Sequence, residues 1–283
     1  MNVNLSKFLA VGEVFIVVFL IVPLVTLGIY KLFPGFEAWQ TQSLGFPFPI
    51  FVDVVMVGVS LIAIRLHRRN LRDYGICFTP FKYHLDIAAA CFIPVMLAGF
   101  PIGLGVDYKS WGGAFILAFI QICLLFILAL ILRKKPSMTS TTVAIAGVLF
   151  LSPISSVSAS TVGKAITLFL TYALFVGFGE EIIYRGYTQS RLNEVFGKPF
   201  RFFGVDFGWG IIIMAFFFGL SHVGILSWML GYSVKLALPW GFWTFFGGLV
   251  YGFVREKSGS IFAPALLHGL PQAIATVMML FIN

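Results

Sequence analysis

Apolar stretches of about 20 residues recur along the chain, each long enough to cross a hydrocarbon core of roughly 30 Å as a helix. Of the 283 residues, 59% are hydrophobic and only 11% are charged, which excludes an ordinary water-soluble domain. The candidate spans are residues 8–32, 49–66, 84–104, 112–132, 141–157, 163–183, 209–230, 240–254 and 260–281. The sequence therefore predicts an all-α fold, a polytopic bundle of about eight to nine transmembrane helices, in which the short, Ser-rich segment 141–157 decides the number.

The formal net charge is +8, and the basic residues lie in short clusters between the spans. Because no basic stripe with interleaved aromatic residues is present, the pattern indicates membrane orientation and not nucleic-acid binding. All clusters fall on one side if every span crosses, so we expect a multi-pass protein of the cell membrane with a cytoplasmic N-terminus and a retained first span. Segments 65–81 and 184–203 mix basic and apolar residues, which favours amphipathic helices in the membrane interface.

Carboxylates within apolar segments are costly and need a physical reason. Glu13, Asp53 and Asp86 lie near predicted span ends, where a side chain reaches headgroups or pairs with a neighbour. Glu180 and Glu181 instead end a long apolar run.

The pair is followed by Arg185, four residues after Glu181, so a helix would place these two side chains on one face as an ion pair. Glu180 would then point about 100° away, free for another task. A solvated acidic pair at a membrane end is the simpler alternative.

Two histidines lie within later apolar segments. His222 follows Phe218 by one turn, and His268 precedes Gln272 by one turn. Either histidine alone is explained by a hydrogen bond to a neighbouring helix. Together with the glutamates they predict a polar site assembled from three separate helices.

The ordered motifs Glu-Glu-x-x-x-Arg, Phe-x-x-x-His and His-x-x-x-polar resemble those of the CAAX protease and bacteriocin-processing family. This family of intramembrane proteases is related to the Ras-converting enzyme and includes abortive-infection proteins. The resemblance implies a single membrane domain over 1–283, with N-terminal spans in 1–160 and the catalytic core in 161–283.

The resemblance also implies the role of each motif residue. Glu180 would activate water with help from His222, and His268 with Gln272 would stabilise the oxyanion. Glu181 and Arg185 would be positioning groups. The family's last motif usually ends in Asn or Asp, and Gln272 adds a methylene of reach at that position.

The implied activity is hydrolysis of a peptide bond in a membrane-associated peptide or protein, by CAAX-type or leader-peptide processing. We expect no cofactor; the alternative is zinc at Glu180, His222 and His268, although the sequence lacks His-Glu-x-x-His. The other interpretations are a non-proteolytic immunity or scaffold protein of the same family and a transporter, which typically shows inverted repeats that this sequence lacks. The oligomeric state is not predicted.

Overall fold

The computed structural model describes residues 3–33, 35, 38, 50–133, 159–224 and 233–282. Helix α1 spans Val3–Leu32 with a π-helical turn at Val17–Ile21. The next helices are α2 (Ile50–Leu66), α3 (Phe81–Gly103) and α4 (Trp111–Arg133). They follow the predicted spans closely, because long apolar runs form helices that satisfy their own backbone groups in lipid.

A second group of helices forms the C-terminal half. Helix α5 (Ala159–Leu170) continues through two π-helical segments, Thr171–Glu180 and Ile182–Thr188, into α6 (Gln189–Phe196). It is followed by α7 (Trp209–Gly224), α8 (Val234–Ser258) and α9 (Phe262–Ile282).

Six helical stretches in the described ranges are long and apolar enough to span a membrane, and α7 is a shorter apolar helix. The predicted all-α polytopic bundle is therefore confirmed. The predicted span at 141–157 lies outside the described residues.

The predicted interfacial helix at 65–81 is wrong over most of its length. After Leu66 the chain forms turns up to the start of α3, and Arg68 and Gly75 both adopt positive φ angles, which a right-handed helix does not accommodate. Segment 184–203 is also not a surface helix throughout. Tyr184 and Arg185 are buried, and the segment ends in a strand.

The strand belongs to a small antiparallel hairpin, β1 (Phe200–Phe202) and β2 (Val205–Phe207), in which Arg201 lies opposite Asp206. The two connecting residues, Phe203 and Gly204, both have positive φ. This is the backbone of a type I′ turn, which matches the twist of the two strands.

Close glycine contacts hold the C-terminal helices together. A Cβ atom at Gly177 would lie 2.8 Å from the carbonyl oxygen of Ala265 and 3.0 Å from Cα of Gly269. The first π-helical segment therefore packs directly against α9, as small residues allow in membrane bundles. Its other flank packs against α2, so the Glu180 region lies between these two helices.

Candidate active site

Glu180 and Glu181 lie where the two π-helical segments meet, and both side chains are buried. π-Helical turns are rare and occur frequently at functional sites. The close approach at Gly177 and Gly269 brings the following glutamates near His268, the residue immediately before Gly269 on α9. Local packing of small residues thus explains why these distant motifs meet.

Glu181 links the other two side chains of the cluster. One oxygen, Oε1, lies 2.9 Å from Nη1 of Arg185 and 3.0 Å from Nδ1 of His268. Glu181 and Arg185 are both 0% exposed. The ion pair that the spacing predicted is therefore confirmed, and it is fully enclosed by protein.

His268 stands between the two glutamates. Its Nδ1 atom meets a carboxylate, which only accepts hydrogen bonds, so Nδ1 carries a proton that it donates to Glu181. The opposite nitrogen, Nε2, is 3.8 Å from Oε2 of Glu180. That distance is too long for a direct hydrogen bond and matches a gap that a water molecule or a substrate oxygen bridges.

Aromatic rings surround the charged groups. The Arg185 guanidinium carbon lies 4.3 Å from the centre of the Phe218 ring and 5.5 Å from that of Tyr251. Tyr251 also stacks on the His268 imidazole at a centroid distance of 4.9 Å. These contacts fix the planes of the guanidinium and the imidazole.

His222 lies at the edge of the cluster. Its Nδ1 atom donates to the carbonyl oxygen of Phe218 at 2.8 Å, because a carbonyl only accepts. When neutral, the ring therefore carries its free lone pair on Nε2. Glu180 and His268 both lie near enough to act on His222 electrostatically.

Gln272 differs from the other predicted residues because its side chain is exposed, whereas His268 one turn earlier is buried. Five of the six predicted site residues thus lie in or beside one cluster: Glu180, Glu181, Arg185, His222 and His268. The function of each residue, including that of Gln272, stays a prediction.

The sequence predicted that Asp53 lies at a span end, and it did not predict that this side chain packs beside the Glu180 segment. Its side chain lies on α2 beside Gly179, is only 3% exposed and interacts electrostatically with Glu180. The signal available in the sequence was a lone carboxylate in an otherwise apolar helix segment, which also fits a side chain at a span end. Nothing in the sequence indicates that α2 packs against the Glu180 segment.

The zinc alternative would require Glu180, His222 and His268 to converge on one point. Within the described ranges, no group of three or more His, Cys, Asp or Glu side chains is arranged to hold a metal ion. In this structure His268 uses Nδ1 for Glu181 and its other nitrogen is 3.8 Å from Glu180. The absence of a cofactor and the zinc alternative both stay predictions, and the proposed chemistry uses the side chains alone.

Comparison with protein families found a match over residues 162–274 to the Rce1-like family, described as type II CAAX prenyl endopeptidase Rce1-like. This supports assignment to the CAAX protease and bacteriocin-processing family. The match agrees with the family predicted from the three motifs. Comparisons with curated proteins and with solved structures found no match.

The Rce1-like match covers less than half of the chain, and it includes all six predicted site residues. The chain is thus supported, at the level of its family, as a CAAX-type intramembrane protease in a multi-pass membrane protein. Asp53 and helices α1 to α4 lie outside the matched segment. Asp53, which lies outside the Rce1-like region, therefore places a carboxyl group beside the Glu180 segment.

Proposed function

We propose that the protein is an intramembrane endopeptidase that hydrolyses a peptide bond in a membrane-associated substrate. The observation that carries this proposal is the pair of Glu180 and His268, buried within an Rce1-like region, with Oε2 and Nε2 held 3.8 Å apart. A base and a hydrogen-bond donor on opposite sides of a small gap are what amide hydrolysis requires.

Glu180 is the proposed general base. Its Oε2 atom is buried and has no hydrogen-bond partner within the described part of the chain, so it is available to a water molecule. His222, with Nδ1 committed to the Phe218 carbonyl, would orient the same water through Nε2. The carboxylate takes a proton as the water oxygen bonds to the scissile carbonyl carbon.

His268 is the proposed donor to the oxyanion. Glu181 accepts a hydrogen bond from Nδ1 of His268, so Nε2, when it also carries a proton, would donate to the negative charge that develops on the carbonyl oxygen. Gln272 is proposed as a second donor. Removing one such donor typically costs about 10²–10³-fold in rate.

The reaction closes by return of the proton. The neutral carboxyl of Glu180 protonates the nitrogen of the tetrahedral intermediate, the C–N bond breaks, and a carboxylic acid and an amine leave. Glu181 and Arg185 act in this scheme as positioning groups, because Arg185 fixes the carboxylate that in turn fixes His268.

The proposed substrate is an apolar, membrane-anchored peptide. The matched family is described as a prenyl endopeptidase, so carboxyl-terminal CAAX peptides with a prenyl group are the first class to test. Leader peptides of membrane-associated precursors are the second.

The deciding experiment is cleavage of both peptide classes by purified protein in detergent, with mass-spectrometric identification of the cut bond. Glu180→Gln is compared with Glu194→Gln, a matched change at a partly exposed glutamate that pairs with Arg69 and Arg191. We expect cleavage to fall by about 10²–10⁴-fold in the first variant and to be unchanged in the second.

A zinc chelator distinguishes a metal-free protease from a metalloprotease. Activity that survives the chelator supports a base-catalysed mechanism without metal, whereas loss with the chelator and recovery with added zinc overturns it. Cleavage that survives Glu180→Gln overturns the role of the base. No cleavage of any peptide, in a protein that still performs its cellular task, overturns the proposed activity.

A further inference from the structure

Asp53 is a second buried carboxyl group beside the proposed base. It lies in the first turn of α2, and its Oδ2 atom has no hydrogen-bond partner among the described residues. Burying an ionised carboxylate without a partner costs several kcal/mol even after relaxation, as order-of-magnitude values for buried ions indicate. Asp53 therefore needs a neutral form or a partner.

Gly179, which has no side chain, lets Asp53 pack against the backbone of the Glu180 segment. A Cβ atom at Gly179 would lie 2.8 Å from Cβ of Asp53 and 3.2 Å from its Oδ1 atom. No larger side chain fits at Gly179 without displacing the carboxyl group. Asp53 thus packs directly against Gly179, the residue immediately before Glu180.

The rest of the surroundings of Asp53 are apolar. A cavity of about 240 Å³ lies beside it and is lined by Val54, Val57, Leu174, Phe175, Phe178 and Gly179. The titratable groups that act on Asp53 are Glu180 on the facing π-helical segment and the phenol of Tyr184. Glu180 is accordingly the charged neighbour of Asp53.

Two carboxyl groups buried side by side do not both ionise, because the second charge is disfavoured by the first and by the low dielectric. One proton is then shared between Asp53 and Glu180. Nε2 of His268 lies 3.8 Å from Oε2 of Glu180, whereas no ion pair among the described residues includes Asp53. The proton is therefore assigned to Asp53, the carboxyl group without a basic neighbour at ion-pair distance in the described residues.

We infer that Asp53 is a positioning residue that carries this proton and donates a hydrogen bond to the carboxylate of Glu180. A neutral acid donating to a carboxylate forms a short, strong hydrogen bond, which would hold the base in one orientation toward the gap at His268. This inference deepens the proposed function and rests on it, and it concerns a residue outside the Rce1-like segment.

Three variants separate hydrogen bonding from space filling. Asp53→Asn keeps a donor, Asp53→Leu keeps the volume without one, and Ser60→Ala is the control. Ser60 is buried on the same helix seven residues later, and its hydroxyl also has no partner in the described structure.

We expect Asp53→Leu to lower kcat about 10²-fold with KM unchanged, the size of effect that a misplaced catalytic group produces. Asp53→Asn should stay within about tenfold of the wild type, because its amide still donates. Ser60→Ala should match the wild type. Thermal unfolding is measured for each variant, and kcat is compared per folded molecule.

Wild-type kcat in Asp53→Leu, or equal loss in the Asn and Leu variants, would overturn the inference while the proposed peptidase activity stands. If the protein cleaves no peptide, the inference about Asp53 is still tested, because infrared spectroscopy detects a protonated carboxyl group directly. In an ester-free detergent, the carbonyl stretch of a protonated carboxyl group should disappear in Asp53→Asn, shift in Glu180→Gln and persist in Ser60→Ala. A wild-type spectrum with no band that Asp53→Asn removes would overturn the inference whatever the activity.

Discussion

Two buried groups of charged side chains differ in how fully their carboxylates are paired. In the first, at the ends of α6 and α8, Oε1 of Glu256 accepts hydrogen bonds from Gln189 at 2.7 Å and from Asn193 at 2.6 Å. Its other oxygen lies 2.5 Å from Nζ of Lys198 and 3.5 Å from Nη1 of Arg255. We call this the helix-end network. Oε1 of Glu256 is thus hydrogen-bonded, and Oε2 lies in ion pairs without a hydrogen bond of good geometry.

The second group, the site cluster, consists of Glu180, Glu181, Arg185 and His268. Glu181 resembles Glu256 on one side, because its Oε1 atom receives both Arg185 and His268. Glu180 does not, since Nε2 of His268 lies 3.8 Å from its Oε2 atom, which has no hydrogen-bond partner in the described residues.

The difference separates structural from chemical roles. A buried carboxylate held by an Arg or Lys side chain stabilises the packing of the helices that carry its partners. A buried carboxylate without such a partner costs stability, and such costs concentrate at functional sites. Each of the three glutamates has one oxygen without a hydrogen-bond partner, but among the described residues Glu181 and Glu256 are held by Arg or Lys and Glu180 is not.

The sharpest test of this comparison is Arg185→Met, which leaves Glu181 without its fully buried cation. Removing one partner of a buried ion pair typically lowers the free energy of unfolding by about 3–5 kcal/mol. Reaction of a thiol dye with Cys91, which is buried, reports unfolding in detergent. The double variant Glu181→Gln with Arg185→Met should recover most of the loss, and equal stability of the single variant and the wild type would break the comparison.

A smaller loss is expected for Glu256→Gln in the helix-end network. The amide keeps the shape but loses the ion pairs with Lys198 and Arg255, which should cost about 1–3 kcal/mol. Cleavage per folded molecule should be unchanged, because the hydrogen bonds and ion pairs of Glu256 in the described structure go to Gln189, Asn193, Lys198 and Arg255 and not to the site cluster. A fall in kcat at constant stability would show that the helix-end network also serves catalysis.

Glu180→Gln should change stability by less than about 1 kcal/mol, in either direction. The reason is that an unpartnered oxygen contributes little favourable energy, and replacing it by an amide relieves part of its desolvation cost. The same dye measurement applies. A loss as large as that in Arg185→Met would mean that Glu180 is a structural group after all.

The fold was largely predictable because hydropathy reports directly on helices in lipid. The spacing of Glu181 and Arg185 also predicted their ion pair correctly, even though the backbone there is π-helical and not α-helical. Periodicity alone gave no sign of the π-helical segments, since they depend on how α9 and α2 pack on either side.

The contacts between helices were less predictable. The hydrogen bond between His268 and Glu181 joins residues far apart in sequence and was not predicted; the family resemblance suggested only that both residues belong to one site. Asp53 had no motif to place it, because its role depends on the close packing of α2 against Gly179. The turns after Leu66 were missed for a similar reason, as a mixed basic and apolar composition does not reveal the positive φ angle of Arg68.

The smallest effect is expected at Gln272, whose side chain is exposed one turn after the buried His268. We expect Gln272→Ala to lower kcat/KM less than about tenfold, whereas His268→Ala should lower it by roughly 10²–10³-fold as a full oxyanion donor does. Gln272→Asn, which introduces the residue usual in the family, is the matched control for a shorter amide. If Gln272→Ala loses as much activity as His268→Ala, then the amide must turn inward when substrate binds, and the α9 surface that carries it becomes part of the site cluster.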